Sequence, residues 1–211
     1  MSDSSPPLIT PGDLEGDRTP TSVHGVLLAA GTSSRYGESN KLLATLDGEP
    51  LVRHAARMLC GSAVDRVTVV VGYEADHVRD AVAELPLRIR ENSDYEAGQS
   101  TSVRVGVEAA ADAGADAVVI ALGDMPHVSP ATVDRLIDCY ERGGGTALAA
   151  AYHGTRGNPV LFDGRFFDSL TDVSGDVGGR DILLSSEASA LVDVDDPGVL
   201  RDVDTPADLA E

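Results

Sequence analysis

Three segments of this chain are apolar at most positions: VHGVLLAA at residues 23–30, VDRVTVVV at 64–71, whose middle is β-branched, and AVVIAL at 117–122. A strand with one wet face alternates apolar with polar, so these β-branched and aliphatic runs predict strands buried on both faces. Amphipathic helices are predicted between and after them, over residues 51–60 behind Pro50, over 74–84, and from Gln99 to just before Gly114. Ser129 and Pro130 supply an N-cap and a first-turn proline for a further helix, which the glycines at 143–145 stop. Further strands are read at residues 87–90, 146–152, 158–162 and 191–194, with short helices at 165–170, 179–185 and 203–209. Strict strand and helix alternation from Val23 to about Arg142 requires right-handed crossovers. It predicts a Rossmann-like α/β domain whose mostly parallel sheet carries helices on both faces.

Composition narrows this further. A chain of 211 residues suits one well-filled domain. Aromatic residues are 4% and Trp is absent, so Val, Ala and Leu must do the packing, as they do in parallel sheets. Residues 1–22 are rich in Ser, Pro, Asp, Gly and Thr without apolar periodicity, and they read as a disordered tail before a single domain at 23–211. The formal net charge of −19 repels polyanions, which argues against nucleic acid and anionic membranes as partners. Lys41 is the only lysine, and such an Asp-rich, Lys-poor surface predicts a halophilic protein, because repulsion is screened within roughly 3 Å at 1 M salt. Cys60 and Cys139 lie in no metal or redox spacing and read as free thiols of a cytoplasmic protein. No segment approaches the ~18 to 20 apolar residues of a membrane span.

In such a sheet, ligands sit at the carboxyl ends of the strands. The first apolar run stops at Gly31, and the loop that follows offers the backbone N–H groups of Gly31, Thr32, Ser33, Ser34 and Gly37 together with the cations Arg35 and Lys41. The spacing is neither a Walker loop nor the dinucleotide fingerprint, so on residues alone a phosphate cradle and a plain glycine-serine turn stay equally open. Asp124 follows the run at 117–122 in the tetrapeptide GDMP, with Gly123 leaving room for a ligand and Pro126 fixing the exit. It is read as a metal-binding carboxylate or as a turn cap. Asp202 and Asp204, in LRDVDTPADL, offer a second carboxylate or merely a helix start. Ser102, with Gln99 and Ser100, opens the helix after a polar loop and reads as a ligand contact or as local capping. The segment at 175–180 reads as a glycine-rich lid or a surface loop. His24, His54, His77, His127 and His153 show no ligand spacing.

Taken together, these motifs carry a resemblance. A-A-G-x-S-x-R-x-G…K, N-x-D-Y-x-x-G…T-S-V, GDMP, R-G-N-P-V-L-F, G-D-x-G-G-R and D-V-D-T-P occur in order over residues 25–209. They resemble the motifs of the molybdenum cofactor cytidylyltransferases, kin of the molybdopterin guanylyltransferases. The departures are Tyr36 where Met is usual, one extra residue between Gly37 and Lys41, and Asn158 where His is frequent. The resemblance implies a GT-A-like nucleotidyltransferase domain. It places Leu28, Ala29, Ala30, Gly31, Thr32, Ser33, Ser34, Arg35 and Lys41 on the nucleotide, with Arg35, Lys41 and Asp124 carrying the reaction. Ser102 would bind the base, Asp124 and Asp204 (or Asp202) would hold Mg²⁺, and Asn158 and Arg180 would bind the acceptor. Leu28-Ala29-Ala30-Gly31, in place of the L-A-G-G of guanylyltransferases, implies CTP.

The implied reaction moves CMP to a phosphate of molybdopterin, releases pyrophosphate and serves a molybdenum hydroxylase client. The alternatives are a guanylyl- or sugar-phosphate nucleotidyltransferase of the same fold, or a cofactor chaperone that binds the pterin without transfer.

Overall fold

A computed structural model describes residues 6–33, 36, 39–172, 179–186 and 188–210. In chain order, β1 (Leu8–Ile9) and β2 (Val23–Ala29) precede a small hairpin of β3 (Thr45–Leu46) and β4 (Glu49–Pro50). Then follow α1 (Leu51–Cys60), β5 (Arg66–Val71), α2 (Ala75–Val82), β6 (Arg88–Glu91), α3 (Gln99–Asp112), β7 (Ala117–Leu122) and α4 (Pro130–Glu141). The chain closes with β8 (Ala147–Tyr152), β9 (Thr155–Asp163), α5 (Phe167–Asp172), α6 (Arg180–Ser185) and β10 (Ser189–Asp193).

Eight strands form one sheet in the order β1-β10-β8-β9-β7-β2-β5-β6. The predicted mostly parallel α/β sheet is what forms: only β9 runs antiparallel, to both β7 and β8. The cause of that reversal is local. Two residues, His153 and Gly154, join β8 to β9, and both have positive φ (50° and 77°), the geometry of a tight hairpin turn.

The apolar runs bury both faces. Alternate residues of β2 go opposite ways: Leu27 and Ala29 pack with α1, α2 and α4, while Val26 and Leu28 pack with α3, α5 and α6. The second contact is close. A Cβ added to Gly106 of α3 would lie 2.3 Å from Val26 Cγ1, so glycine there lets the helix settle directly on the strand. Gly106→Ala is therefore expected to overpack the core and cost about 1–3 kcal/mol. Thermal melts should show Tm lower by roughly 2–4 °C per kcal/mol; an unchanged Tm would refute the close contact.

The disordered tail predicted for residues 1–22 does not hold over the described residues 6–22. β1 pairs in parallel with β10, Leu8 opposite Leu191, and Leu191 N donates to Pro7 O at 2.8 Å. Further on, buried Glu141 at the end of α4 takes the Arg18 guanidinium on Oε2 (2.6 Å) and Thr21 N on Oε1 (3.1 Å), while its carbonyl accepts from Thr19 N (3.0 Å). Apolar periodicity could not reveal this segment, because ladder hydrogen bonds and the distant carboxylates of Glu141, Asp138 and Asp116 hold it in place.

Candidate active site

β2 and β7 lie side by side in parallel register, Leu28 opposite Leu122, so the two loops that follow them emerge at one rim. Gly123 N donates to Leu28 O at 2.9 Å, which pins the GDMP turn beside the end of β2. Gly123 was expected to leave room for a ligand. Instead its missing side chain lets the strand ends close, because a Cβ there would meet Leu28 O at 3.1 Å and Leu42 Cδ2 at 3.2 Å. A third segment arrives from far along the chain: Val203 N donates to Asp124 O at 2.9 Å and carries Asp202 and Asp204 to the same rim.

The glycine-serine loop is tied back on itself. Ser33, with φ 55°, accepts Lys41 N on its hydroxyl at 3.1 Å, and Asn40 Oδ1 caps the short helix Lys41–Leu43 through Leu42 N at 3.1 Å. These bonds aim Lys41 inward. Its Nζ lies 2.6 Å from Asp124 Oδ2 and 2.9 Å from Asp204 Oδ1. Burial opposes the ammonium charge, but Asp124 and Asp204 outweigh it and hold the Lys41 pKa above its ordinary value. Asp124 Oδ1 is buried and has no hydrogen-bond partner among the described residues, so half of this carboxylate is left for something those residues do not supply.

The expected helix start in DTPAD does form, as a short helix over Pro206–Ala210. Asp208, rather than Asp204, accepts there from Asp204 N (3.0 Å) and Thr205 N (2.7 Å). Of the two aspartates proposed as second carboxylate, Asp204 reaches Lys41, while Asp202 lies exposed on the wall of the cleft.

That cleft has a volume of about 590 Å³, the size of a small-molecule site. Leu28, Ala30, Gly31, Thr32, Ser33 and Lys41 line one side, Gln99 and Ser102 another, and Asp124 and Asp204 the floor. Ala29 is placed differently: its side chain is in the core on the opposite face, which leaves only its backbone at the rim. Ser34, Arg35 and Gly37 lie outside the described residues, as do residues 173–178 with most of the glycine-rich segment. Ser102 is buried and accepts Asn92 Nδ2 at 2.9 Å, and the same amide donates to Thr101 at 2.8 Å. The Ser102 hydroxyl hydrogen makes no bond among the described residues and can be donated to a ligand. Motif reading missed Asn92 and Asn40 as positioning residues. Their signal was visible as an Asx turn, since Asn92 Oδ1 accepts Asp94 N at 3.0 Å and Asn40 caps two residues on.

A smaller hollow of about 170 Å³ adjoins the cleft and shares Leu28, Gln99 and Leu122 with it. Asn158 and Arg180, the expected acceptor residues, line this hollow and not the larger cleft. Arg156 lines it too, and burial and the nearby Arg180 charge both push the Arg156 pKa down. The histidines behave as structural groups where they are bonded: His24 Nε2 meets Thr68 Oγ1, and His54 Nε2 meets Leu46 O, each at 2.9 Å.

The profile of the MobA-like NTP transferase domain matches residues 25–190, most of the chain and both halves of the rim. The chain belongs to this family. The expected kinship with molybdenum cofactor nucleotidyltransferases is thereby borne out, and a MobA-like fold accounts for the sheet described above. The chain is 34% identical to the purine catabolism protein PucB of Bacillus subtilis, over 86% of this chain and 91% of that protein. It is 33% identical to the nicotine blue oxidoreductase of Paenarthrobacter nicotinovorans, over 90% of this chain and 96% of that protein. Among solved structures, Rv0371c of Mycobacterium tuberculosis superposes with a TM-score of 0.77 at 29% identity, covering 91% of this chain and 97% of that one. The same protein has been solved in complex with manganese. Membership makes this chain a nucleotidyltransferase, which implies a nucleoside triphosphate substrate. No helix of the described residues is long and apolar enough to cross a membrane.

Proposed function

We propose that this MobA-like transferase moves CMP from CTP to the terminal phosphate of a molybdopterin-type acceptor. The observation that carries the reading is the meeting of Lys41, Asp124 and Asp204, from three separate parts of the chain, on the floor of one nucleotide-sized cleft. An acceptor phosphate oxygen forms the new bond to the α-phosphorus of CTP, the bond to the β-phosphate oxygen breaks, and pyrophosphate leaves. No proton has to be removed, because the attacking oxygen is already anionic. The work left for the protein is alignment and charge neutralisation.

The donor set fits a hard divalent cation. Two carboxylates are present, one with a buried oxygen lacking a partner, and Mg²⁺ is commonly held by one or two carboxylates together with substrate phosphates. Asp124 and Asp204 would hold Mg²⁺, which would supply positive charge to offset that of the triphosphate. Lys41 and Arg35 neutralise the rest of the triphosphate, Ser102 donates to the base, and Asn158 and Arg180 hold the acceptor. Ala30, on the cleft wall, stands where guanylyltransferases carry glycine, and it supports CTP over GTP.

Thermal shifts with CTP, GTP, ATP and UTP, each with Mg²⁺, test the base: the largest shift is expected with CTP, and a response to GTP alone overturns it. Pyrophosphate release with CTP and acceptor tests transfer, and binding of the pterin without release identifies a chaperone instead. One relative bears the name of an oxidoreductase, which makes oxidation of NADH or NADPH the necessary control. The same reading places the protein in a salt-rich cytoplasm beside a molybdenum hydroxylase client, and equal activity at low and high KCl would remove the halophilic part.

A further inference from the structure

Half of the described arginines of this acidic chain are paired with carboxylates. Arg18, Arg53, Arg57, Arg79, Arg90, Arg142 and Arg165 each have a carboxylate within 4 Å. Arg156 and Arg180 are among the unpaired ones and share a cavity. Both line the 170 Å³ hollow, and neither makes an ion pair among the described residues. With a net charge of −19, carboxylates were available to neutralise them, yet the hollow presents two like charges to each other instead. Two guanidiniums lining one hollow with no counter-charge among the described residues are an arrangement that a planar or tetrahedral oxyanion satisfies by paired N–H···O bonds.

The rest of the wall sets the kind of molecule that carries this anion. Val103, Ile120, Val160, Phe162 and Leu183 make much of it apolar, and Asn158 and Gln99 are its polar groups beside the arginines. Its volume is under a third of that of the 590 Å³ cleft, too small for a second nucleotide or a polymer. Leu28, Gln99 and Leu122 are common to both spaces, so a ligand in the hollow directly abuts one in the cleft.

We propose that Arg156 is a second acceptor-binding residue, which closes with Arg180 on the phosphate of a small phosphomonoester whose apolar body lies in the hollow. This rests on the transfer reading above and adds to it a residue and the acceptor's size and chemical class. Arg156 acts in binding only and is not required for the nucleotide to enter its cleft.

Phenyl phosphate, a phosphomonoester on a flat apolar body, is the probe, titrated by NMR into protein whose cleft is filled with CTP and Mg²⁺. Phenol and inorganic phosphate serve as separate arms for the two halves of the molecule. Wild type should bind phenyl phosphate more tightly than either half, Arg156→Ala should weaken it at least tenfold, and Arg156→Lys should fall between. The thermal shift caused by CTP should be the same in all three proteins, which shows that the variants fold and keep the cleft intact. Phenyl phosphate affinity within twofold of wild type in Arg156→Ala overturns the proposal, as does failure of wild type to bind it while CTP still binds. Failure of CTP itself to bind is a separate result, and it overturns the transfer reading on which the proposal stands.

Discussion

Replacing Lys41 by methionine is expected to lower pyrophosphate release by on the order of 10²- to 10³-fold, the usual effect of deleting one group that stabilises transition-state charge. The same variant should bind Mn²⁺ more tightly than wild type when no nucleotide is present. The second effect follows from space. The ammonium sits 2.6 Å from Asp124 Oδ2 and 2.9 Å from Asp204 Oδ1, while a small divalent ion approaches carboxylate oxygens to about 2.0–2.1 Å. A metal on these two carboxylates would therefore compete with the ammonium for one position, and on the proposed reading Lys41 would have to turn towards the phosphates before both carboxylates could serve as ligands. In methionine's case the competitor is gone and the two carboxylates face each other, so the apo variant should melt lower than wild type and Mn²⁺ should restore it by mass action. A Mn²⁺ titration followed by electron paramagnetic resonance reads the affinity and thermal melts in EDTA and in Mn²⁺ read the rescue. Equal Mn²⁺ affinity in the two proteins would remove these carboxylates as the metal site.

Asp124→Asn should cost a similar factor in transfer while leaving the fold intact. The replacement keeps the shape and the backbone bonds from Val203 N to residue 124 and from Gly123 N to Leu28 O, and Lys41 keeps Asp204 as a partner. What is lost is a charged oxygen donor at a carboxylate whose other oxygen is buried and has no hydrogen-bond partner among the described residues. Steady-state kinetics with CTP, read beside a thermal melt, separate the two effects. Activity within fivefold of wild type, with Tm unchanged, would take Asp124 out of the reaction.

Local sequence carried much of the fold. The runs at 23–30, 64–71 and 117–122 became β2, β5 and β7, the second of them starting two residues later than read, and α1 begins and ends where Pro50 and Gly61 allow. Each of these is decided by neighbours within a turn or a strand, through side-chain periodicity and backbone restriction. The N-terminal segment was misread for the opposite reason, since Glu141 lies 123 residues from Arg18 and nothing near Arg18 announces it. The direction of β9 turned on two residues with positive φ, one of them a histidine, which carries no strong turn signal of its own.

By itself, the sequence determined a doubly covered, mostly parallel sheet and the types of group available at its rim: a glycine-serine loop, a single lysine, aspartates after strands, and arginines beside glycines. Those follow from periodicity, composition and short motifs, all of which act over a few residues. Only the tertiary structure decided that Asp204 and not Asp202 reaches Lys41, that Gly123 closes a gap between strands, and that Arg156 joins Arg180 in a separate hollow. These are contacts between segments 24 to 163 residues apart, set by strand order and register, and charge acts through space without regard to distance along the chain.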